Sequence, residues 1–372
     1  MSGFTISVKA AIETLMPIAG FAASEKSQNE VYKHVLITNN GSQCFAIGCN
    51  GAQSVIRSVP IPLLSEPFKV CIDGVKLRAI LSSLKDAAEQ DMSFSWTESV
   101  ATIKVGRSKL TAAVVNPDTF PHPDRLGDEH FEIVINGSVL LQSLRSIAHS
   151  CAVRDARHYL NGCHFKISDS SFSVTGSDGH RISRVIKPLV GQSGQAEGIV
   201  PLKLLDLLQV NVDKNVGDIR VRISANMAEF TWTGGQIRST LIDGKYPDTS
   251  GFFTCEPKPL FSCSKHALLQ SISRLKSTAF EKLPSLAIDA ENGELRLTTL
   301  DAKKQESGTD FITATLANAD LTQLSVNIIY LSDSLNQIED DEVVFQLVAG
   351  NSLKIQSVNN PDFNAIIAQL RR

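Results

Sequence analysis

Residues 157–182 read RHYLNGCHFKISDSSFSVTGSDGHRI, and their alternation decides the fold. Cys163, Phe165 and Ile167 share one face of a first run, and Phe172 and Val174 one face of a second. Strict period-2 spacing of this kind marks half-buried strands. The runs are separated by Ser168, Asp169, Ser170 and Ser171 and followed by Gly176, Ser177, Asp178 and Gly179, residue types that accept turn geometry. The stretch therefore predicts an antiparallel hairpin that closes on an Asp-Gly turn. His180, Arg181 and Ile182 then lead into a third strand, with an apolar side chain beside two polar ones at its start.

Working outward, the same design recurs about every third of the chain. AIETL at 11–15, LLQSL at 140–144 and LLQSI at 268–272 open the three units, each inside a segment with apolar residues at helical spacing. After each helix a hairpin closes on Asn50, Asp178 or Asp301. A second short helix (73–85, 201–210, 326–338) then precedes the alternating runs MSFSW, IRVRI and VVFQL, from Met92, Ile219 and Val343. Pro-Asp turns at 117–118, 247–248 and 361–362 mark the unit ends, the last falling before the final strand. The reading is α+β: three repeated domains, each with two helices packed on antiparallel sheet. Turn residues crowd at 122–127 and 254–259, which places the domains at 1–127, 128–253 and 254–372.

Composition narrows the function. A chain of 372 residues that is 42% apolar can bury several cores. The seven cysteines form no C-x-x-C pair and no cluster with histidine, so they read as reduced, mostly buried thiols, not a disulfide frame or zinc site. The first twenty residues read as an amphipathic helix, and neither a signal peptide nor a membrane span is expected. With a formal net charge of −3 the chain is no general phosphate binder, so any nucleic-acid contact must be local.

The sequence carries no G-x-S-x-G elbow, phosphate loop, H-E-x-x-H or G-x-G-x-x-G, and no cofactor or metal is expected. Asp155, His158 and His180 are the nearest thing to an acid/base group, and strand-end polar residues explain them more simply. A non-catalytic protein is the default. The helices hold Lys76, Arg78, Arg145, Lys203, Lys265, Arg274 and Lys276, and the segments 137–150 and 264–280 contain no acid. A surface lined by such helices suits loose, sequence-independent phosphate contact.

The Arg157-x-Tyr159-Leu160-Asn161-Gly162 and Ser177-Asp178-Gly179-His180-Arg181-Ile182 stretches closely resemble the bacterial DNA polymerase III β subunit, the replicative sliding clamp. So do Gly106-Arg107-Ser108-Lys109 and Leu241-Ile242-Asp243-Gly244-Lys245-Tyr246-Pro247-Asp248. The resemblance implies a head-to-tail homodimer forming a six-domain ring, with helices lining the hole around duplex DNA. It implies a processivity factor, cytoplasmic and nucleoid-associated, that tethers the polymerase catalytic subunit, the clamp loader, other polymerases and repair proteins. These partners would enter a peptide-binding pocket through short linear motifs. Its walls would be Leu160, Ser177, Gly179, His180, Arg181, Ile182, Pro247, Ile366, Ala368 and Leu370. DNA would meet Arg154, Arg157, His158 and Tyr159 together with the helix bases named above. Arg107, Lys109, Leu110, Ser277 and Thr278 would lie at the subunit interface.

The chain departs from the family at several of these places. Ala368-Gln369-Leu370-Arg371 stands where Met-Pro-Met-Arg is usual, and Gly251 where a basic residue follows the Pro-Asp turn. Ala112, Ser277 and Thr278 replace larger apolar residues, and Lys303 and Lys304 fall in an expected acidic patch. These departures fit a divergent member. The alternative from another class is a free-standing interaction module that binds or sequesters clamp partners without closing a ring.

Overall fold

Alternating apolar runs become paired strands throughout a computed structural model of the chain, which describes residues 2–26, 28–61, 66–121, 123–191, 194–213, 216–280, 282, 284–301, 306–317 and 323–370. The chain packs as two compact units, Met1–Leu141 with Lys203–Leu241, and Gln142–Leu202 with Ile242–Arg372. Lys303, Lys304, Arg371 and His122 lie outside the described residues.

In chain order the strands are β1 (Ser2–Ser7), β2 (His34–Asn39), β3 (Cys44–Cys49), β4 (Gln53–Val59), β5 (Phe68–Asp73), β6 (Asp91–Trp96), β7 (Val100–Val105), β8 (Ser108–Val115) and β9 (Phe131–Asn136). There follow β10 (Gly162–Ser168), β11 (Ser171–Ser177), β12 (Arg181–Pro188), β13 (Gln195–Pro201), β14 (Asp218–Ile223), β15 (Met227–Trp232) and β16 (Gly235–Thr240). The last are β17 (Lys258–Ser264), β18 (Ser285–Glu291), β19 (Glu294–Asp301), β20 (Glu306–Leu316), β21 (Leu324–Asn327), β22 (Glu342–Val348), β23 (Ser352–Ser357) and β24 (Phe363–Ile367). The helices are α1 (Val8–Ala23), α2 (Gly74–Ser83), α3 (Gly137–Ala148), α4 (Leu202–Asn211), α5 (Gly251–Thr254), α6 (Lys265–Leu275) and α7 (Ile328–Leu335).

The first unit holds one 12-stranded sheet in the order β1-β6-β7-β8-β5-β2-β3-β4-β16-β15-β14-β9. The second unit holds another, β13-β10-β11-β12-β24-β23-β22-β17-β20-β19-β18-β21. The strands most widely separated in sequence meet at a seam in each sheet: Gln53–Arg57 against Gly235–Ser239 in the first, Arg181–Val185 against Phe363–Ile367 in the second. Helix α1 packs on β3 and β4 in the first unit and α6 on β17 and β20 in the second. In the first unit α1 buries Ala11, Leu15, Ile18 and Ala22 at three- and four-residue spacing, the apolar stripe of a core-facing helix. Ser7 caps it by accepting a bond from the Ala10 N–H, and Asp73 caps α2 in the same way through Lys76.

One expectation needs correcting. The first twenty residues are not a single helix, because Ser2–Ser7 form β1, paired with β6 from Ser2–Trp96 to Ser7–Asp91. Phe4 and Ile6 are buried and Thr5 is exposed, which is strand alternation, and only after the Ser7 cap does helical spacing begin. Phe4 stacks on Phe94 at 5.0 Å and on Phe68 at 5.8 Å. Six of the seven cysteines are buried and Cys255 is half-buried, all as free thiols. Among the described residues no helix is long and apolar enough to cross a membrane.

Candidate peptide groove

The groove lies at the seam of the second unit, and the opening stretch builds most of it. Cys163, Phe165, Ile167, Phe172 and Val174 are buried, and the Phe165 and Phe172 rings stack at 5.9 Å. With the hairpin fixed by this core, the Asp178-Gly179 turn has one orientation. Gly179 takes φ +89°, where only glycine is unstrained, and a Cβ there would meet Arg157 Nη1 at 2.7 Å. Asp178 Oδ1 accepts the N–H groups of His180 and Arg181 at 2.9 and 3.0 Å. The Ser177 hydroxyl accepts the Gly179 N–H and donates to the Arg181 carbonyl. Arg181 itself donates Nε to Asp178 at 3.0 Å and Nη1 to Asp333 at 2.7 Å, and its guanidinium lies 4.2 Å over the Tyr330 ring.

The Arg157–Gly162 motif has an equally local explanation. Asn161 staples its own loop, accepting the Asp155 N–H through Oδ1 and donating Nδ2 to the Asp155 carbonyl. Arg157 pairs with the Asp155 carboxylate and donates to the Asp178 carbonyl; these bonds hold the Asp155 carboxyl down at about 2. Leu160 is buried with Ala152, Ile199 and Tyr246, and the Tyr246 ring stacks on His164 at 5.0 Å. At Gly162 a Cβ would meet the Val200 carbonyl oxygen at 2.4 Å, so the strand can pack here only without a side chain.

On this frame the register pairs Ile182 directly with Ile366. The cavity above them measures about 240 Å³. Of the residues expected at a peptide pocket, Leu160, Ser177, Gly179, His180, Arg181, Ile182, Pro247, Ile366 and Ala368 line it. Leu370 does not; its N–H bonds the Ser325 carbonyl of β21 instead. Arg157 and Tyr159, expected at DNA, also line the groove, and Asp248, Thr249, Phe252 and Ser352 complete it without having been singled out from the sequence. The Pro-Asp turn was the available pointer to Asp248 and its neighbour Thr249. An apolar floor rimmed by fixed polar groups is suited to holding one or two apolar side chains of an extended peptide.

The arrangement offers no acid/base machinery. Among the described residues no hydrogen bond joins Asp155, His158 and His180; Asp155 is committed to Arg157, and His158 meets Tyr159 edge-on at 5.8 Å. A second polar cluster, unseen in the sequence, lies behind the hairpin. Ser150 and Ser183 share a 2.6 Å hydrogen bond, and His149 Nε2 approaches the Ser150 hydroxyl at 3.0 Å. Burial, with the Arg181 charge second, pushes the His149 imidazole down to about 4.

The remaining expected residues sit apart from the groove floor. Arg154, with φ +58°, is exposed beside Val153, and Lys76, Arg78 and Arg145 are exposed on α2 and α3. Lys203 pairs with Glu25 at 3.6 Å. Lys265 donates to the carbonyls of Ile338 and Glu339, Lys276 to the Ser332 hydroxyl, and Arg274 is paired with Asp310 at 2.5 Å. Arg107, Lys109 and Leu110 lie at the β7–β8 turn and on β8; among the described residues that strand is paired only with β7 from Ser108 to Ala113. Ser277 and Thr278 follow α6, with the Thr278 hydroxyl held by Thr299 and the Leu275 carbonyl. In the same unit β20 is paired only with β19 from Glu306 to Thr313, leaving a second open edge among the described residues.

Helices packed on antiparallel sheet, with an apolar groove of peptide size at a sheet seam, define a binding scaffold. The chain belongs to the DNA polymerase III β-subunit family, the sliding clamps: residues 134–248 match the family model for its central domain and 255–371 that for its C-terminal domain. The β sliding clamp of Pseudomonas putida is 25% identical over 376 residues, covering 99% of each chain. That of Escherichia coli is 23% identical over 331 residues, covering 87% of each. Among solved structures, a sliding clamp from Pseudomonas aeruginosa bound to griselimycin superposes with TM-score 0.91 at 23% identity, over 100% of this chain and 99% of that one. The β subunit from Thermotoga maritima gives 0.90 at 16%, over 100% and 99%. The family's role is that of a non-catalytic processivity factor of DNA polymerase III.

Proposed function

We propose that two copies of this chain close head to tail into a ring around duplex DNA, and that the groove at Ile182 and Ile366 receives short apolar motifs of replication proteins. The observation that carries the second part is the Ile182–Ile366 register pair beneath an open 240 Å³ cavity, rimmed by side chains that are already hydrogen-bonded in place. The polymerase catalytic subunit, the clamp loader, other polymerases and repair proteins are the partners of this reading. The separate matches at 134–248 and 255–371 support three clamp domains, 1–127, 128–253 and 254–372.

Ring closure is supported by the two open strand edges. An unpaired edge recruits a further strand unless something blocks it. Ser108–Ala113 carries Lys109 beside Arg107, and Glu306–Thr313 carries Glu306, with Phe311 46% exposed. Opposite charge and an exposed ring are the properties of two edges that pair with each other, and pairing of unlike edges closes when two copies are related by a half turn. Arg107, Lys109, Leu110, Ser277 and Thr278 are the interface residues of this reading. Exposed bases such as Arg78, Arg145 and Arg154 then meet phosphates without gripping them, because a closed ring holds DNA by topology. That accommodates a net charge of −3. Such a protein works in the cytoplasm, at the nucleoid.

Light scattering across a dilution series tests the ring. The chain is 40.3 kDa, and a species near twice that mass is expected, with Leu110→Asp reducing it to the monomer. A wild-type monomer at every concentration would overturn the ring and leave an interaction module that keeps the groove alone.

A further inference from the structure

The segment Thr249–Cys255, containing α5, lies across the seam as a strap. Its hydrogen bonds are its own. Ser250 N–H bonds the Asp248 carboxylate, the N–H groups of Phe252, Phe253 and Thr254 bond carbonyls of Thr249 and Ser250, the Thr254 hydroxyl bonds the Ser250 carbonyl, and the Cys255 thiol bonds the Phe252 carbonyl. Among the described residues none of these reaches the sheet. What seats the strap is side-chain packing: Phe252, Phe253 and Cys255 lie on the buried cluster of Ile182, Val348 and Ile366.

Beneath Phe253 stands an unusual residue. Arg184 is two positions along β12 from Ile182 and so shares its face. Its guanidinium carbon lies 3.4 Å from the centre of the Phe253 ring, and its Nε is buried without a hydrogen-bond partner. No carboxylate is within ion-pair reach of it among the described residues, and burial lowers its pKa to about 10. The neighbouring Lys354 is lowered as well, by burial first and the Arg184 charge second. A desolvated cation with no anion gains most from an aromatic face, so the ring is its main compensation. Successive residues of a helical turn point about 100° apart, so when Phe253 is held over Arg184, Phe252 is aimed at a fixed direction. That direction is the groove wall.

We propose that Arg184 is a positioning residue of the groove: by holding Phe253 it seats the strap, and through the strap it sets where Phe252 stands and how wide the groove is. The inference rests on the groove reading above. It assigns to this chain a specificity element on β12, outside the groove lining itself.

The test uses the full-length protein and two readouts on Arg184→Met, Arg184→Lys, Phe253→Leu and the double variant Arg184→Met/Phe253→Leu. The first is the alkylation rate of Cys255 by iodoacetamide, followed by mass spectrometry; this thiol rides on the strap and is the one cysteine that is not buried. Arg184→Met and Phe253→Leu should each raise the rate roughly tenfold, the double variant no further, and Arg184→Lys less than Arg184→Met. The second readout is the affinity for griselimycin, the ligand of the Pseudomonas aeruginosa relative, used as the probe of the groove; it is expected to fall about tenfold in Arg184→Met with partial rescue by Arg184→Lys. Unchanged alkylation in folded variants overturns the seating. Faster alkylation with unchanged affinity overturns the positioning role. Failure of the wild type to bind griselimycin removes the groove reading and the width control with it; the alkylation series still tells that failure apart from a failure of the seating.

Discussion

Replacing Arg181 by alanine is the most informative single perturbation of the seam. The side chain is 11% exposed and spans two carboxylates, Asp178 at 3.0 Å and Asp333 at 2.7 Å, while its face covers Tyr330. Removing one partner of a fully buried pair costs about 3–5 kcal/mol, because the other charge is left without compensation. Two features reduce that here. Asp178 keeps the N–H groups of its own turn, and Asp333, at 36% exposure, regains solvent. The expected loss is about 2–3 kcal/mol, or roughly 1 M in the urea midpoint at a slope of about 2 kcal/mol/M. Removing Asp333 as well should return about 1 kcal/mol, since the stranded anion goes with it. The assay can localise the effect. Both tryptophans, Trp96 and Trp232, are in the first unit, so their fluorescence reports that unit while circular dichroism reports both. The loss should appear in the dichroism transition and leave the tryptophan transition in place. A shift below about 0.5 kcal/mol, or one of equal size in both signals, would refute the reasoning.

Three further outcomes follow from the same geometry. Glu229 in β15 is 1% exposed between Arg222 and Arg238, so Glu229→Ala should cost about 2–3 kcal/mol and shift the tryptophan transition, which a urea titration of that fluorescence checks. His149 titrates near 4 in the fold against about 6.5 unfolded, so the unfolded chain binds the extra proton. Stability is full above about pH 6.5 and falls by roughly 2–3 kcal/mol toward pH 4.5, and His149→Gln should flatten that part of a stability–pH curve. Ile366→Asp places an unpaired charge on the groove floor and should weaken binding of a short apolar peptide at least a hundredfold. Leu370→Ala should change it less than tenfold, because Leu370 does not line the groove; isothermal titration distinguishes the two.

The hairpin at 157–182 was legible because period-2 alternation and an Asp-Gly turn are local signals. The α+β class was legible because helical and alternating segments recur along the chain, and both kinds of element form where those patterns lie. β1 was not, since Phe4 and Ile6 run straight into a helix whose apolar residues continue without a break in composition. Within the groove, the residues on the hairpin were readable from their motif. Phe252 and Ser352 were not, because their position depends on the β12–β24 seam, a long-range pairing that no local pattern announces. The same distance hides the pairing of Arg274 with Asp310 and of Glu229 with two arginines. A helix base is visible in a sequence, whereas the carboxylate that neutralises it is not. Arg184 shows the converse: an ordinary alternating position in a strand becomes a half-buried cation with a buried Nε only once the strap lies over it.

Retention on DNA tests the central claim most directly. Labelled protein is loaded by a clamp loader onto a nicked circular duplex, separated from free protein, and counted before and after the circle is cut once. A sliding clamp predicts about one dimer or more held per circle at moderate salt, released when the DNA is linearised. Loss from circular and linear DNA at the same rate would contradict topological clamping.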